Sequence, residues 1–453
     1  MKIIIVGAGE VGYHIAGRLA AENKEVVVID RNPASVKRVA DNIDAEAVCA
    51  SGSSPEVLKK AGIHSADILL AVTDSDETNL VACLMADMIS PTTRKFARIR
   101  EGDYDRFHDL FRDQSPHIEK VINPEIEVVR TIEQLLSVPG AADVSEFAEG
   151  RLKFAGFYLH NGNPLIDARL SDLPDIIGSH VLVAAIIREN ELIIPQGGHT
   201  LNAGDLIYFI SEEKNLAPIL TAFKHTIKPV KSVMIIGGGR IGARLAQSLE
   251  KGPMHVKIIE RTDARCRALA DMLDRAVVIC GEGSDQRLLM EENIREMDAV
   301  ISATNDEETN ILVCLMAQRM GVRKAITRLD KFSYLSLMPA IGIEQVVSPR
   351  MSAINSILQH IRKGKVFSVR AITGEQGEII EAEALETSEI IGKPLRKNFF
   401  PKGSLVIGII RNNAVIIPSG DSVIEPGDRV IIFARRQVVE KIEKILAVKL
   451  EFF

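Results

Sequence analysis

Met1-Lys2-Ile3-Ile4-Ile5-Val6-Gly7-Ala8-Gly9-Glu10-Val11-Gly12 is the stretch whose reading decides the fold, and the chain repeats it. The second copy is Val233-Met234-Ile235-Ile236-Gly237-Gly238-Gly239-Arg240-Ile241-Gly242. Each is an apolar strand entering GxGxxG and then a helix-like stretch. Each is followed by a second apolar run ending in an acid, Val26-Val27-Val28-Ile29-Asp30 and Val256-Lys257-Ile258-Ile259-Glu260. First glycine and acid both recur after 230 residues, 7 to 237 and 30 to 260. The spacing has a physical reading. Gly7 or Gly237 permits the tight strand-to-helix turn, Gly9 or Gly239 admits a pyrophosphate against the backbone, and Gly12 or Gly242 lets helix pack close to strand. The helix amino terminus offers free N–H groups and partial positive charge to phosphates. Asp30 and Glu260, each 18 residues past the last glycine, are placed to accept from ribose hydroxyls and to repel a 2′-phosphate. NAD or NADH is therefore expected over NADP. Arg31 and Arg261 follow the acids, placed to stack on adenine or to remain surface arginines.

The duplication extends further. Residues 73–86 and 304–317 share eight of fourteen identities, from Thr73-Asp74 and Thr304-Asn305 through Glu77-Thr78-Asn79 and Glu308-Thr309-Asn310 to Cys83-Leu84-Met85-Ala86 and Cys314-Leu315-Met316-Ala317. Apolar runs at 3–6, 26–29, 68–72 and 96–99 are mirrored at 233–236, 256–259, 299–303 and 325–329. Their alternation with amphipathic stretches reads as βαβ units around a parallel sheet. Asp41-Asn42, Ser53-Ser54-Pro55-Glu56 and Ser284-Asp285 read as helix starts. Residues 150–211 and 365–435 change texture to short strands and Gly/Asn turns, and they too are related. Ala203-Gly204-Asp205 and Pro426-Gly427-Asp428 read as turns feeding strands.

The expected fold class is α/β, with two Rossmann-like parallel-sheet domains, each followed by a small β-rich α+β domain. The expected segments are a first Rossmann domain at 1–123, a linking helix at 124–137 and a small domain at 138–225. A second Rossmann domain at 230–348, a linking helix at 349–363 and a small domain at 364–453 repeat the plan. Lys224–Lys231 forms the seam.

Composition narrows the function. At 453 residues the chain needs several cores, and a net charge of −6 carries no nucleic-acid signature. No apolar run reaches 18 residues, and the first strand begins without a signal peptide ahead of it. Five cysteines without metal-ligand spacing suit reduced, buried thiols in a cytosolic protein, and Cys83 and Cys314 read as core. Glu375, Glu378, Glu381, Glu383 and Glu386 read as a solvated hairpin face. No catalytic set accompanies the glycine motifs. The β-rich stretch 150–211 holds His160, His180 and His199, and residues 365–453 hold no histidine. An NAD-dependent oxidoreductase with two Rossmann domains is the alternative. A nucleotide sensor that makes and breaks no bond fits better.

Three further positions belong at the carboxyl edge of each sheet, where open α/β folds bind ligands. Ser51-Gly52 and Gly281-Glu282 follow the third strand. Thr73-Asp74 and Thr304-Asn305 follow the fourth, and Arg98 and Arg328 lie on the fifth. Thr78-Asn79 and Thr309-Asn310 begin a helix or touch the ligand.

On these residues the whole chain resembles the TrkA family, tandem-RCK regulatory subunits of Trk-type potassium uptake systems. The most specific matches are Ile5 through Gly12, Ala71 through Asn79 and Ile235 through Gly242. The resemblance implies a first site of Gly7, Gly9, Gly12, Asp30, Thr73 and Arg98, and a second of Gly237, Gly239, Gly242, Glu260, Thr304 and Arg328. Ala8, Glu10, Val11, Ser51, Gly52 and Asp74 belong with the first, and Gly238, Arg240, Ile241 and Asn305 with the second. NAD, NADH, ATP or ADP are the implied effectors. The implied assembly is a homotetramer, a ring of eight RCK units on the cytoplasmic face of the membrane, beneath an integral potassium-transport subunit of TrkH type. One departure stands out: the family pattern has Gly-Asp after the third strand, where this chain has Ser51-Gly52 and Gly281-Glu282.

Overall fold

The computed structural model describes residues 1–177, 181–223, 228–335, 337–361, 366–372, 376–397 and 400–446. His180, Glu375, residues 224–227 of the seam, residues 224–225 at the end of the first small segment and the 362–363 end of the second linking helix lie outside them. Residues 364–365 and 447–453, at the two ends of the last segment, do so as well.

The chain forms two compact units, residues 1–127 with 349–361, and residues 128–348 with 362–453. In the first, strands β1 (Lys2–Val6), β2 (Glu25–Asp30), β3 (Glu46–Cys49), β4 (Ile68–Ala71), β5 (Arg94–Arg98) and β6 (Ile118–Ile122) make a parallel sheet in the order 3-2-1-4-5-6. The order reverses between β1 and β4, so the glycine turn after β1 opens at the switch point. Ile3, Ile4 and Ile5 are wholly buried, which requires cover on both faces and explains why the strand reads as a continuous apolar run. Helix Glu10–Ala21 supplies part of that cover, and helix Pro349–Ile361 packs against it. Arg94 Nη2 donates to the carbonyl of His360 in the last turn of that helix at 2.9 Å, and the His360 ring stacks on Phe96.

In the second unit, β12 (Ser232–Ile236), β13 (His255–Glu260), β14 (Val277–Cys280), β15 (Ala299–Ser302), β16 (Lys324–Arg328) and β17 (Gln345–Val347) repeat the same order. Here the cover comes from helix Pro124–Ser137: Val128, Ile132 and Leu135 share one core with Ile241 and Leu245 of helix Arg240–Leu249. Lys324, which occupies the place of Arg94, donates to the carbonyls of Leu135 and Val138. Each parallel sheet is thus packed by the helix that follows the other sheet, and a basic side chain at the start of its fifth strand donates to carbonyls at the helix end.

The small sheets are antiparallel. One takes β7 (Asp143–Phe147), β8 (Leu152–Tyr158), β9 (Leu182–Arg188), β10 (Glu191–Ile193) and β11 (Leu206–Glu212) in the order 10-9-11-8-7. The other takes β18 (Val366–Ala371), β19 (Gly377–Glu383), β20 (Ser404–Arg411), β21 (Ala414–Ile416) and β22 (Arg429–Arg435) in the order 18-19-22-20-21. They share a core in which Phe154 and Tyr208 join Ile379 and Phe433. Gly204 and Gly427 take left-handed conformations, and each turn presents a buried aspartate to an arginine. Asp205 receives Arg188 through two bonds of 2.8 Å, and Asp428 receives Arg411 at 2.9 and 2.7 Å.

Two expectations need correction. Asp41-Asn42 ends a helix instead of starting one: helix Pro33–Asn42 begins on Asn32, whose side chain accepts from Ala34 N, and Asn42 Nδ2 bonds back to the Arg38 carbonyl. The acidic hairpin is solvated only in part: Glu386 is exposed and Glu383 half-buried, but two of its glutamates are not on a solvated face. Glu378 is wholly buried and Glu381 3% exposed, the latter accepting from Arg429 Nη2 at 2.6 Å and from Ala148 N at 3.2 Å.

Candidate nucleotide sites

The first site is assembled by backbone before any side chain matters. Gly7 has φ +111°, and a Cβ there would meet Thr73 N at 2.9 Å. A Cβ on Gly12 would lie 1.8 Å from the Gly7 carbonyl oxygen, so helix and turn touch directly. Gly9 is different: nothing lies within 4 Å of an added Cβ, which leaves its face open for a diphosphate. Val11 is buried, and Ala8 is fully so. Their side chains are turned inward, which leaves only their peptide groups available to a ligand.

Asp30 sits at the end of β2 and braces the turn. One carboxylate oxygen accepts from Ala8 N at 2.6 Å and the other from Asn32 N at 2.7 Å. Each oxygen keeps lone-pair capacity for a ribose hydroxyl. Ser51 Oγ accepts from Arg31 Nη2 at 2.7 Å, which turns Arg31 toward the end of β3. Gly52 packs on Val6, and a Cβ there would approach its side chain to 2.1 Å.

On the other side of the switch point, Thr73 is pinned by Asn79. Asn79 Oδ1 accepts from Thr73 N at 2.9 Å and from its hydroxyl at 2.7 Å, while Nδ2 donates to the Arg98 carbonyl at 2.8 Å. Ser75 caps the helix by accepting from Thr78 N at 3.1 Å. Asn79, fully buried, is thus a structural pin joining two predicted positions. Asp74 offers its carbonyl to Arg100. The Arg98 guanidinium is mostly buried, with Nε lacking a hydrogen-bond partner. Burial, with the Arg100 charge nearby, pushes its pKa down to about 10. A partly desolvated cation at the carboxyl edge of the sheet is an arrangement that an anion would relieve.

Glu10, in the first turn of the helix, receives Arg38 Nη1 at 2.6 Å and lies 3.7 Å from Arg350 of helix Pro349–Ile361. Burial works to raise its pKa, and the bond and charge of Arg38 outweigh this and hold it below the ordinary value.

The second site repeats the plan. Gly237 has φ +103°, a Cβ on Gly242 would lie 1.9 Å from the Gly237 carbonyl oxygen, and Gly239 is open. Glu260 accepts from Gly238 N at 2.8 Å and Thr262 N at 2.9 Å. Burial works to raise its pKa, yet these bonds bring it below the usual carboxylate value. Asn310 repeats Asn79, bonding Thr304 N, the Thr304 hydroxyl and the Arg328 carbonyl. Arg328 reaches Asn305 Oδ1 at 3.0 Å and Asp330 at 2.7 Å, so unlike Arg98 it is neutralised within the chain. Ile241 is buried, and Arg240 lies in the first turn of the helix.

A cavity of about 480 Å³ opens here, lined by Gly237, Gly239, Glu260, Thr304 and Asn305, with Arg261, Thr262, Arg265 and Gly283. Gly238, Gly242 and Arg328 stand behind this lining as supports. The sequence reading set Gly281-Glu282 against Ser51-Gly52, but the packing gives a different match. A Cβ on Gly283 would lie 2.2 Å from the Ile236 side chain, as one on Gly52 would from Val6, so Gly283 is the counterpart, one residue later than expected. The shared offset of 231, already present between Thr73 and Thr304, was the signal for it. Arg265 was also missed; its Nε donates to the Gly238 carbonyl at 2.7 Å. Among the described residues no cluster is arranged to hold a metal ion, and no helix is long and apolar enough to cross a membrane.

Comparison with known proteins agrees with this plan. The TrkA-N domain family matches residues 3–124 and 233–349, and the TrkA-C domain family matches 154–224 and 379–447. The chain is 37% identical to the Trk system potassium uptake protein TrkA of Azorhizobium caulinodans, over 100% of both chains. It is 36% identical to TrkA homolog 1 of Methanosarcina mazei, over 98% of this chain and 99% of that one. Among solved structures, the GsuK RCK domain superposes with a TM-score of 0.59 at 19% identity, covering 98% of this chain and 94% of that one. The GsuK channel bound to NAD superposes at 0.58 and 18% identity, over 98% and 78%. The duplicated cradles, the alternating small domains and full-length identity with these relatives place the chain in the TrkA family of Trk system potassium uptake proteins.

Proposed function

We propose that this chain is a nucleotide-sensing regulatory subunit that gates a membrane potassium transporter. The observation that carries the reading is the paired cradle. Two open glycine turns are each braced by a carboxylate that also faces the place of a ribose. A cradle of this kind is suited to binding and releasing a dinucleotide. A ligand that favours one arrangement of the chain over another shifts the equilibrium by its difference in affinity.

NAD or NADH is the preferred occupant, because Asp30 and Glu260 favour a free ribose hydroxyl over a 2′-phosphate. The NAD-bound GsuK channel, which shares the fold, supports this choice. ATP and ADP compete for the same diphosphate cradle. The site residues are those named above, and the segments 1–123, 138–225, 230–348 and 364–453 with their helices are the division we propose. The partner is an integral potassium-transport subunit of TrkH type, with four chains forming a cytoplasmic ring peripheral to the membrane. His160, which an oxidoreductase reading would need as a proton donor, lies 3.1 Å from Glu344.

The test is reconstitution with the transport subunit in potassium-loaded vesicles. Flux that responds to NADH, and loses the response when both Asp30 and Glu260 are reversed, supports the proposal. Flux indifferent to nucleotide, or steady hydride transfer to a small-molecule panel, overturns it.

A further inference from the structure

We propose that Cys266 and Cys280 form a reversible thiol–disulfide site that links the second nucleotide cradle to the redox state of small-molecule thiols. Cys266 lies on helix Asp263–Met272 and Cys280 ends β14, and their sulfurs are 2.8 Å apart. That is closer than unbonded sulfurs ordinarily sit, and it leaves less than an ångström of travel to a disulfide bond of about 2.0 Å.

The pair lies beside the candidate nucleotide site. Cys266 Sγ donates to the Glu260 carbonyl at 3.1 Å, and Gly281 N donates to the same oxygen at 2.9 Å. The side chain of Glu260 braces Gly238, so one residue joins the sulfurs to the glycine turn. Thr262 and Arg265, both just ahead of Cys266 in the chain, line the cavity.

The feature belongs to the second half alone. Cys49 stands at the end of β3 as Cys280 stands at the end of β14, but Val36 occupies the place of Cys266. Cys83 and Cys314 are fully buried in the cores. Contrary to the expectation of buried thiols, Cys49 and Cys280 end their strands exposed; Cys266 is buried, which assigns the roles. Burial and the hydrogen bond to Cys280 push the Cys266 thiol up to about 12, so Cys280 is the entry thiol.

The oxidant is a small-molecule disulfide, RSSR. Cys280 loses its proton to solvent and attacks one sulfur, forming Cys280–S–S–R and releasing one thiolate, which takes up a proton. Cys266 then gives its proton to solvent and attacks Sγ of Cys280, breaking the mixed disulfide and releasing the second RSH. In sum, two protein thiols and RSSR become one protein disulfide and two RSH; the protein is oxidised by two electrons and the small disulfide reduced by two. Oxidation removes the thiol donor from the Glu260 carbonyl and draws helix Asp263–Met272 toward β14.

The experiment equilibrates the full-length chain with oxidised and reduced glutathione at varied ratio, followed by peptide mapping and by NADH calorimetry. An Asp30→Arg background confines the calorimetric signal to the second cradle. The expected result is a 266–280 disulfide that dithiothreitol reverses, and an NADH affinity about threefold lower in the oxidised protein, the loss of one weak hydrogen bond. Cys266→Ser should stop at a glutathione adduct on Cys280. A lasting adduct on wild-type Cys280, or pairing of Cys280 with another cysteine, overturns the site. Equal affinity in the two states overturns its link to the cradle. Mapping does not depend on NADH binding, so failure of the nucleotide reading is separately visible.

Discussion

Glu260 accepts the backbone N–H of Gly238 at 2.8 Å, as Asp30 accepts that of Ala8 at 2.6 Å in the other half. The acid placed to meet a ribose is therefore also the strut of the turn placed to meet the phosphates. Replacing it removes both functions from one cradle and leaves the other intact. Asp30→Arg and Glu260→Arg should each weaken NADH at their own site by about 3 kcal/mol, as expected for lost charge-assisted hydrogen bonds. Calorimetry should then count half the sites per chain for either variant and none for the pair. An unchanged count for Asp30→Arg would mean that the first cradle is not an occupied one.

Glycines in the same motif separate folding from binding. A Cβ on Gly12 would lie 1.8 Å from the Gly7 carbonyl oxygen, whereas one on Gly9 meets nothing within 4 Å. Gly12→Ala should destabilise the chain by about 3 kcal/mol through backbone displacement. Gly9→Ala should leave the melting temperature unchanged and weaken dinucleotide binding by at least tenfold, because the methyl occupies the approach of the diphosphate. Gly239→Ala should behave like Gly9→Ala at the second cradle. If Gly9→Ala melts early, or binds NADH normally, the open face at this position is not where the phosphates sit.

The residues that were legible in the sequence are those whose spacing is imposed by backbone geometry. GxGxxG and an acid 18 residues later leave little freedom, and the parallel sheets followed from them. The pins Asn79 and Asn310 were harder to read. They follow Thr78 and Thr309 at a helix start, where capping is the ordinary role, yet Ser75 and Asp306 provide the caps. The sixth strands also escaped notice: Ile118–Ile122 is interrupted by Glu119 and Lys120, as an edge strand tolerates. The exchange of helices Pro124–Ser137 and Pro349–Ile361 between sheets had no local signature at all. An amphipathic helix shows that it needs a partner, and its own sequence does not say which one.

Arg188 and Asp205 carry the small domain. Asp205 is fully buried, and its carboxylate takes two bonds from Arg188 and one from Asn202 N. Removal of the cation alone strands a buried charge, a loss of about 3–5 kcal/mol. Arg188→Ala should show that loss in chemical denaturation, and Arg411→Ala should match it through Asp428. The double replacement Arg188→Met with Asp205→Leu should recover much of the loss, since no charge is then left unpaired. Equal instability of single and double variants would show that the pair acts through its backbone bonds instead.

Lys324 gives the fold a pH dependence. Its ammonium is buried against the end of helix Pro124–Ser137, and that burial pushes its pKa from 10.5 down to about 7. A neutral amine keeps two N–H donors, one for each of the Leu135 and Val138 carbonyls. Between about 7 and 10.5 the unfolded chain holds a proton that the folded chain has released, so stability from this position rises with pH across that window. It is lowest at pH 7 and below, where the folded chain must carry the charge. Lys324→Met removes the titration and leaves all other groups in place. The stability of wild type relative to this variant, taken from urea midpoints between pH 6 and 9.5, should climb on the order of 1 kcal/mol per unit above pH 7. A flat difference across that range would mean that Lys324 titrates as it does in the unfolded chain, and that the helix end is held by an ordinary charged lysine.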